Sequence, residues 1–117
     1  MNSAENNLQI DYIEFPVKDL SKTKEFYSRL LGWKFEDYGP DYASFHDGRI
    51  GGGFYTSPEV KAGGPLVVIY TTDIHGMEKK VVAAGSTIVK PTFEFPGGRR
   101  FHFLDPSGHE LAIWTDK

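Results

Sequence analysis

Glu14 and His102 are the two side chains of this sequence best placed, by type and by pattern, to move a proton near neutral pH. Glu14 falls in an alternating run over residues 10–17; a carboxylate buried there would have its pKa raised and could serve as a general base. Paired with Arg100, or bonded to backbone amides, the same group would be a structural carboxylate. His102 is the one histidine inside a strand pattern, since His46 and His109 sit at hairpin turns and His75 in the first turn of a helix. Its imidazole could donate to a ligand carbonyl, exchange a proton, or simply be held by a hydrogen bond. Tyr12, Phe54 and Trp114 offer rings to a planar ligand, although rings of this kind also seal sheet floors. Arg99 and Arg100 follow Pro96-Gly97-Gly98, where a guanidinium and loop amides could hold a carboxylate or phosphate, and where an ordinary turn fits equally well.

Strands and helices must position these groups, and the chain states its plan twice. Residues 10–17 alternate as a strand, Asp19 caps a helix carrying Leu20, Thr23, Tyr27, Leu30 and Leu31, and Gly32 stops it. Strands over 33–38 and 42–45, an Asp47-Gly48 hairpin and a strand over 50–55 complete a βαβββ unit. A strand over 66–72, a helix capped by Asp73 and ended by Gly85, and strands over 87–89, 99–104 and 110–114 repeat that order. Residues 91–98 read as a Pro/Gly-broken loop, and the β-branched run of 66–72 reads as a central strand. The first module is assigned to residues 8–55, the linker to 56–65 and the second module to 66–115, all within a single domain of 1–117. A repeat of about 50 residues that stops at two copies points to modules sharing one surface rather than an open array.

Alternation assigns faces. Phe101 and Phe103 go under the second helix, as do Leu111 and Ile113, which sends Arg100, His102 and Leu104, with Glu110, Ala112 and Trp114, to the opposite face. Tyr12 and Glu14 take that face in the first module, and Ser44, Gly52 and Phe54 count as equivalents of His102, Ala112 and Trp114. The expected fold class is therefore α+β, a curved mixed sheet with helices outside and a concave side of Tyr, Glu, His, Arg and Trp suited to a small ligand. Gly51, Gly52 and Gly53 lack the strand-to-helix setting of a phosphate loop and mark a bulge or a close strand approach.

Bulk properties narrow the function. The 117 residues are 39% hydrophobic and 15% aromatic, a globular composition in which one core must serve both modules. Thirteen Lys and Arg against sixteen Asp and Glu give a net charge of -3, so neither nucleic acid nor an anionic membrane is an expected partner. No apolar run nears the roughly 20 residues that span a bilayer and the polar opening of the chain has no leader pattern, so a cytoplasmic location is expected. The absence of cysteine removes disulfides, thiolate catalysis and thiolate metal sites.

Three stretches carry a resemblance: Phe15-Pro16-Val17-Lys18-Asp19-Leu20, then Phe26-Tyr27 with Leu31-Gly32-Trp33, and Phe103-Leu104-Asp105-Pro106-Ser107-Gly108-His109. Over nearly its whole length the sequence resembles the vicinal oxygen chelate superfamily, the glyoxalase, bleomycin-resistance and extradiol-dioxygenase group. The resemblance implies paired βαβββ modules forming a cup-shaped sheet, commonly as a homodimer. Its metal enzymes usually hold one divalent ion with His, Glu or Gln from four strand positions, which carry over to Tyr12, Gly52, Val67 and Ala112. Gly, Val and Ala have no donor atom and a neutral phenol is a poor ligand, so no metal and no other cofactor is expected. The resulting expectation is a metal-independent member that binds a small organic ligand, through Tyr12, Phe54, Arg100 and Trp114. The alternative is a lyase or isomerase using Glu14 and His102 as acid and base. A third reading is a partner-binding domain.

Overall fold

The computed structural model describes residues 7–61 and 63–117; the segment read above for a leader, apart from Asn7, and Ala62 of the linker lie outside them. The elements are β1 (Tyr12–Val17), α1 (Leu20–Leu31), β2 (Lys34–Asp37), β3 (Tyr42–His46), β4 (Gly51–Thr56), β5 (Val67–Tyr70), α2 (Ile74–Ala83), β6 (Ile88–Phe95), β7 (Gly98–Leu104) and β8 (Glu110–Thr115). They fall into two compact units that divide between Glu59 and Val60. Each unit is one βαβββ module with a four-stranded mixed sheet, ordered β1-β4-β3-β2 in the first and β5-β8-β7-β6 in the second. The fold class is α+β.

In module one, the Asp19 carboxylate accepts the Lys22 N–H at 3.0 Å and so starts α1, and Gly32 ends it at φ 73°. The helix buries Leu20, Thr23, Tyr27 and Leu30 against the sheet. Beneath it Tyr27 stacks on Trp33 at 4.7 Å, Trp33 on Phe45 at 4.4 Å, and Phe54 on both Tyr27 and Phe45 at 5.1 and 4.9 Å. Aromatic area, rather than aliphatic packing, makes this core.

In module two, Asp73 caps α2 by accepting the Gly76 N–H at 3.1 Å, and Ile74 and Val81 pack toward Phe101, Phe103, Leu111 and Ile113, all fully buried. The Asp105-Pro106-Ser107-Gly108-His109 turn is folded around one carboxylate oxygen. Asp105 Oδ1 accepts the N–H of Ser107 and of His109, each at 2.9 Å, in a buried setting.

Two sequence expectations change. Residues 91–95 belong to strand β6 instead of a loop, with register shifts between Ile88 and Lys90 and between Lys90 and Phe93. Pro91 has no N–H to give, and an edge strand with a bulge accommodates that loss. Likewise β5, read as central from its β-branched run, stands at the edge of its own sheet, as does β1 with Pro16. Val68 and Tyr70 are accordingly exposed.

Candidate functional site

Cross-strand register decides which side chains share a face, because aligned residues project to the same side of a sheet. In module one Phe15, Phe54 and Ala43 are aligned, and all three are buried on the α1 side. The face turned away from the helix, the far face, holds Tyr12 aligned with Gly51 and His46, Glu14 with Gly53, Ser44 and Glu36, and Pro16 with Tyr55 and Tyr42. In module two Val68 and Ala112 align with His102, and Tyr70 and Trp114 with Arg100 and Phe93.

This corrects Phe54. Its ring lies in the core against Tyr27, so it is not among the far-face side chains. The error is one of counting from the hairpin glycine: Arg49 and Ile50 separate Gly48 from β4, whereas His109 alone separates Gly108 from β8. The equivalents of Ala112 and Trp114 are therefore Gly53 and Tyr55, not Gly52 and Phe54. Val67 is corrected too, since it aligns with the helix-side Leu111. Leu66 stands seven residues before Asp73, as Tyr12 stands seven before Asp19.

The far face of module one carries a directed chain of hydrogen bonds. The Tyr42 hydroxyl donates to Glu14 Oε2 at 2.9 Å, and the Tyr12 and Tyr42 hydroxyls are 2.5 Å apart. Tyr42 has one hydrogen and gives it to Glu14, so Tyr12 donates to Tyr42 and its own oxygen is left as an acceptor. Burial, followed by the bonds to Tyr12 and Glu14, holds the Tyr42 phenol well above its ordinary pKa. The glycines make this possible. A Cβ at Gly53 would lie 2.0 Å from Tyr42 Oη and 2.8 Å from Tyr12 Oη, while one at Gly52 would lie 2.2 Å from Phe45 Cζ on the other face. The three-glycine strand thus marks a close strand approach, with the Ile13 carbonyl oxygen 2.3 Å from where a Cβ at Gly52 would sit, rather than a bulge, and it clears room for rings on both sides of β4. Glu14 itself is exposed, so the expected burial is not met, and its partner is Tyr42 of its own module rather than Arg100.

The far face of module two is built on β7. His102 is 3% exposed and its Nδ1 lies 2.8 Å from Glu110 Oε2, while its Nε2 is buried with no hydrogen-bond partner among the described residues. Arg100, two residues along, spreads its guanidinium over Phe93 and Phe95 at 5.6 and 5.4 Å, and its Nε is buried and equally unmatched. Phe93 also flanks His102 at 5.8 Å between ring centroids, which ties the two polar groups to one aromatic wall. Trp114 completes it, 6.4 Å from Phe95 and edge-on to Tyr70 at 5.4 Å. Arg99 faces the other way: it bonds the Lys117 carbonyl oxygen and approaches His75 Nε2 at 3.1 Å, so the two arginines cannot clasp one anion.

Sequence reasoning therefore brought Tyr12 and Glu14 together, and Arg100, His102 and Trp114 together. It missed the parts played by Tyr42, Gly53, Tyr55, Phe93 and Phe95, and it noted the face of Glu110 without its partner. Phe93 and Phe95 alternate in the sequence, a signal hidden by the neighbouring Pro and Gly residues. For a divalent ion the donors do not fit: Tyr12, Gly53, Leu66 and Ala112 supply one phenol between them. Among the described residues no three His, Cys, Asp or Glu side chains lie close enough to hold a metal.

The chain is 25% identical over 115 residues to "Putative glyoxylase CFP32" of Mycobacterium tuberculosis, a match covering 89% of this chain and 44% of that protein, so it spans under half the length of that relative. The same figures hold for its Mycobacterium bovis counterpart. Among solved structures, a glyoxalase/bleomycin resistance protein/dioxygenase family enzyme from Burkholderia phytofirmans superposes with a TM-score of 0.82 at 17% identity, over 92% of this chain and all of that one (100%). The fosfomycin resistance protein FosX of Listeria monocytogenes, crystallised with Mn(II) and a dihydroxypropylphosphonic acid, gives 0.80 at 18%, covering 92% and 89%. These likenesses concern the fold. The family model for the Glyoxalase/Bleomycin resistance protein/Dioxygenase superfamily matches residues 9–113, and to that superfamily this chain belongs.

Proposed function

We propose that the protein binds a small organic ligand, a planar compound bearing a carboxylate or carbonyl group, on the far face of module two without a metal ion. One observation carries this reading: Arg100 Nε and His102 Nε2, flanked by a shared phenylalanine, are buried with no partner among the described residues. A buried polar group left unmatched costs about 1–3 kcal/mol; a ligand acceptor would restore the bond at Arg100 Nε, and a ligand donor the one at His102 Nε2. Phe93, Phe95 and Trp114 supply flat apolar surface beside these groups. On the far face of module one, taken by itself, Tyr12 is a separate candidate contact, as an acceptor for a hydroxyl or amide. Phe54 has no part in this reading.

The family relationship supports a homodimer, and the proposed setting is cytoplasmic; light scattering and cell fractionation test these. The direct experiment is a thermal-shift screen of aromatic acids and ketones on metal-analysed, chelator-treated protein. Compounds with both features should raise Tm, and Arg100→Gln should abolish the rise while leaving the apo Tm within a few degrees. A screen in which only metal-loaded protein responds would refute the proposal.

A further inference from the structure

The geometry points to an acid–base pair: we infer that Glu110 orients His102 so that Nε2 takes a proton from a carbon acid whose carboxylate is held by Arg100. This rests on the proposed binding face and adds a chemical step to it. The Glu110 carboxylate can only accept, so His102 Nδ1 carries the hydrogen of the 2.8 Å bond. That fixes the tautomer and leaves a lone pair on Nε2, the buried and unmatched atom. Glu110 is a positioning residue, holding the ring and offsetting the charge of the imidazolium that forms.

Arg100 and His102 rise from one face of β7, two residues or about 7 Å apart. Lys90 of β6, aligned with His102, also projects to this side. Three cationic or protonatable groups and one fixed carboxylate suit an anion that becomes more electron-rich at its oxygen as it reacts. A 2-oxo acid fits: the carboxylate meets Arg100, the proton leaves C3 for His102 Nε2, and the C–H electron pair passes onto the 2-oxo oxygen as an enolate. Returning a solvent-exchanged proton from the imidazolium to C3 closes the cycle, with no oxidant, reductant or leaving group. The expected activity is proton exchange, or the isomerisation built on it, at carbon next to a carbonyl in a short acid with an apolar tail.

The test is proton NMR of phenylpyruvate in deuterated buffer with the full chain. Saturable loss of the C3–H signals above the protein-free rate is expected, falling about 100-fold or more in His102→Gln. Glu110→Gln should lower kcat about 10-fold with KM within about two-fold, since the glutamine oxygen still accepts from Nδ1 but lacks the charge. Nitrogen-15 spectra of the imidazole should show the hydrogen on Nδ1 in the native protein and a mixture of tautomers in Glu110→Leu. A phenylpyruvate-induced Tm rise without exchange would overturn this inference alone, as would exchange unchanged in His102→Gln or a hydrogen found on Nε2. Neither Tm rise nor exchange would overturn it together with the binding proposal.

Discussion

Alanine at Gly52 and at Gly53, neighbours in one strand, should have sharply different effects because their added methyls enter opposite faces of the sheet. At Gly53 the new Cβ would sit 2.0 Å from Tyr42 Oη and 2.5 Å from its Cζ, so the phenol must move roughly 1.4 Å to restore ordinary contact near 3.4 Å. That displacement breaks the 2.9 Å bond to Glu14 and the 2.5 Å bond to Tyr12. The two exposed bonds are worth about 1–2 kcal/mol together, against about 0.5–1 kcal/mol regained by replacing a strand glycine, so the net loss is about 1 kcal/mol. At Gly52 the methyl meets Phe45 Cζ at 2.2 Å and the Ile13 carbonyl oxygen at 2.3 Å. A backbone oxygen cannot swing aside, and Phe45 is locked between Trp33 and Phe54. Overpacking of this kind costs about 1–3 kcal/mol, and the upper end applies where backbone is struck. Urea denaturation followed by tryptophan fluorescence should therefore give a midpoint loss two- to three-fold larger for Gly52→Ala than for Gly53→Ala. Equal losses, or a larger one at Gly53, would refute the assignment of faces in module one.

Three further outcomes follow from the same geometry. Asp105→Ala strips the acceptor from two backbone amides in a buried turn and should cost about 2–4 kcal/mol in thermal or urea unfolding, whereas a loss under about 0.5 kcal/mol would show the turn to be held otherwise. Tyr42, held above its ordinary value of 10 chiefly by burial, stays protonated where the unfolded phenol ionises. Its contribution to stability is complete below about pH 10 and fades as pH rises toward the folded value; alkaline denaturation should steepen above pH 10 in the native protein and less so in Tyr42→Phe. Treatment with a chelator should leave Tm unchanged within about 1 °C, since among the described residues no three His, Cys, Asp or Glu side chains lie together to hold a metal; a fall of several degrees reversed by added metal would contradict this.

Much of this was readable in the sequence because the fold is governed by short-range rules. Asp19 and Asp73 announce both helices, Gly32 ends the first, and the alternation of Phe101, Phe103, Leu111 and Ile113 fixes the faces of β7 and β8. Arg100, His102 and Trp114 share a face for that reason. Phe54 failed because strand periodicity is two, so the single extra residue between Gly48 and β4 inverted every side chain after it. Glycine gave no warning there, having no side chain to reveal its face. Tyr42 and Glu110 needed partners across strands, at separations of 28 and 8 residues, which alternation along one strand does not supply. Strand β6 was hidden because Pro91 is a breaker by local rules, and only the sheet edge and its bulges make room for it.

The proposed metal-free binding face built on Arg100 and His102 can be observed by nitrogen-15 NMR of chelator-treated protein titrated with phenylacetate. Saturable shifts of the Arg100 Nε–H and the His102 imidazole nitrogens are expected in the absence of any metal. Saturable binding that leaves both side chains unmoved, or that begins only when a divalent cation is supplied, would contradict it.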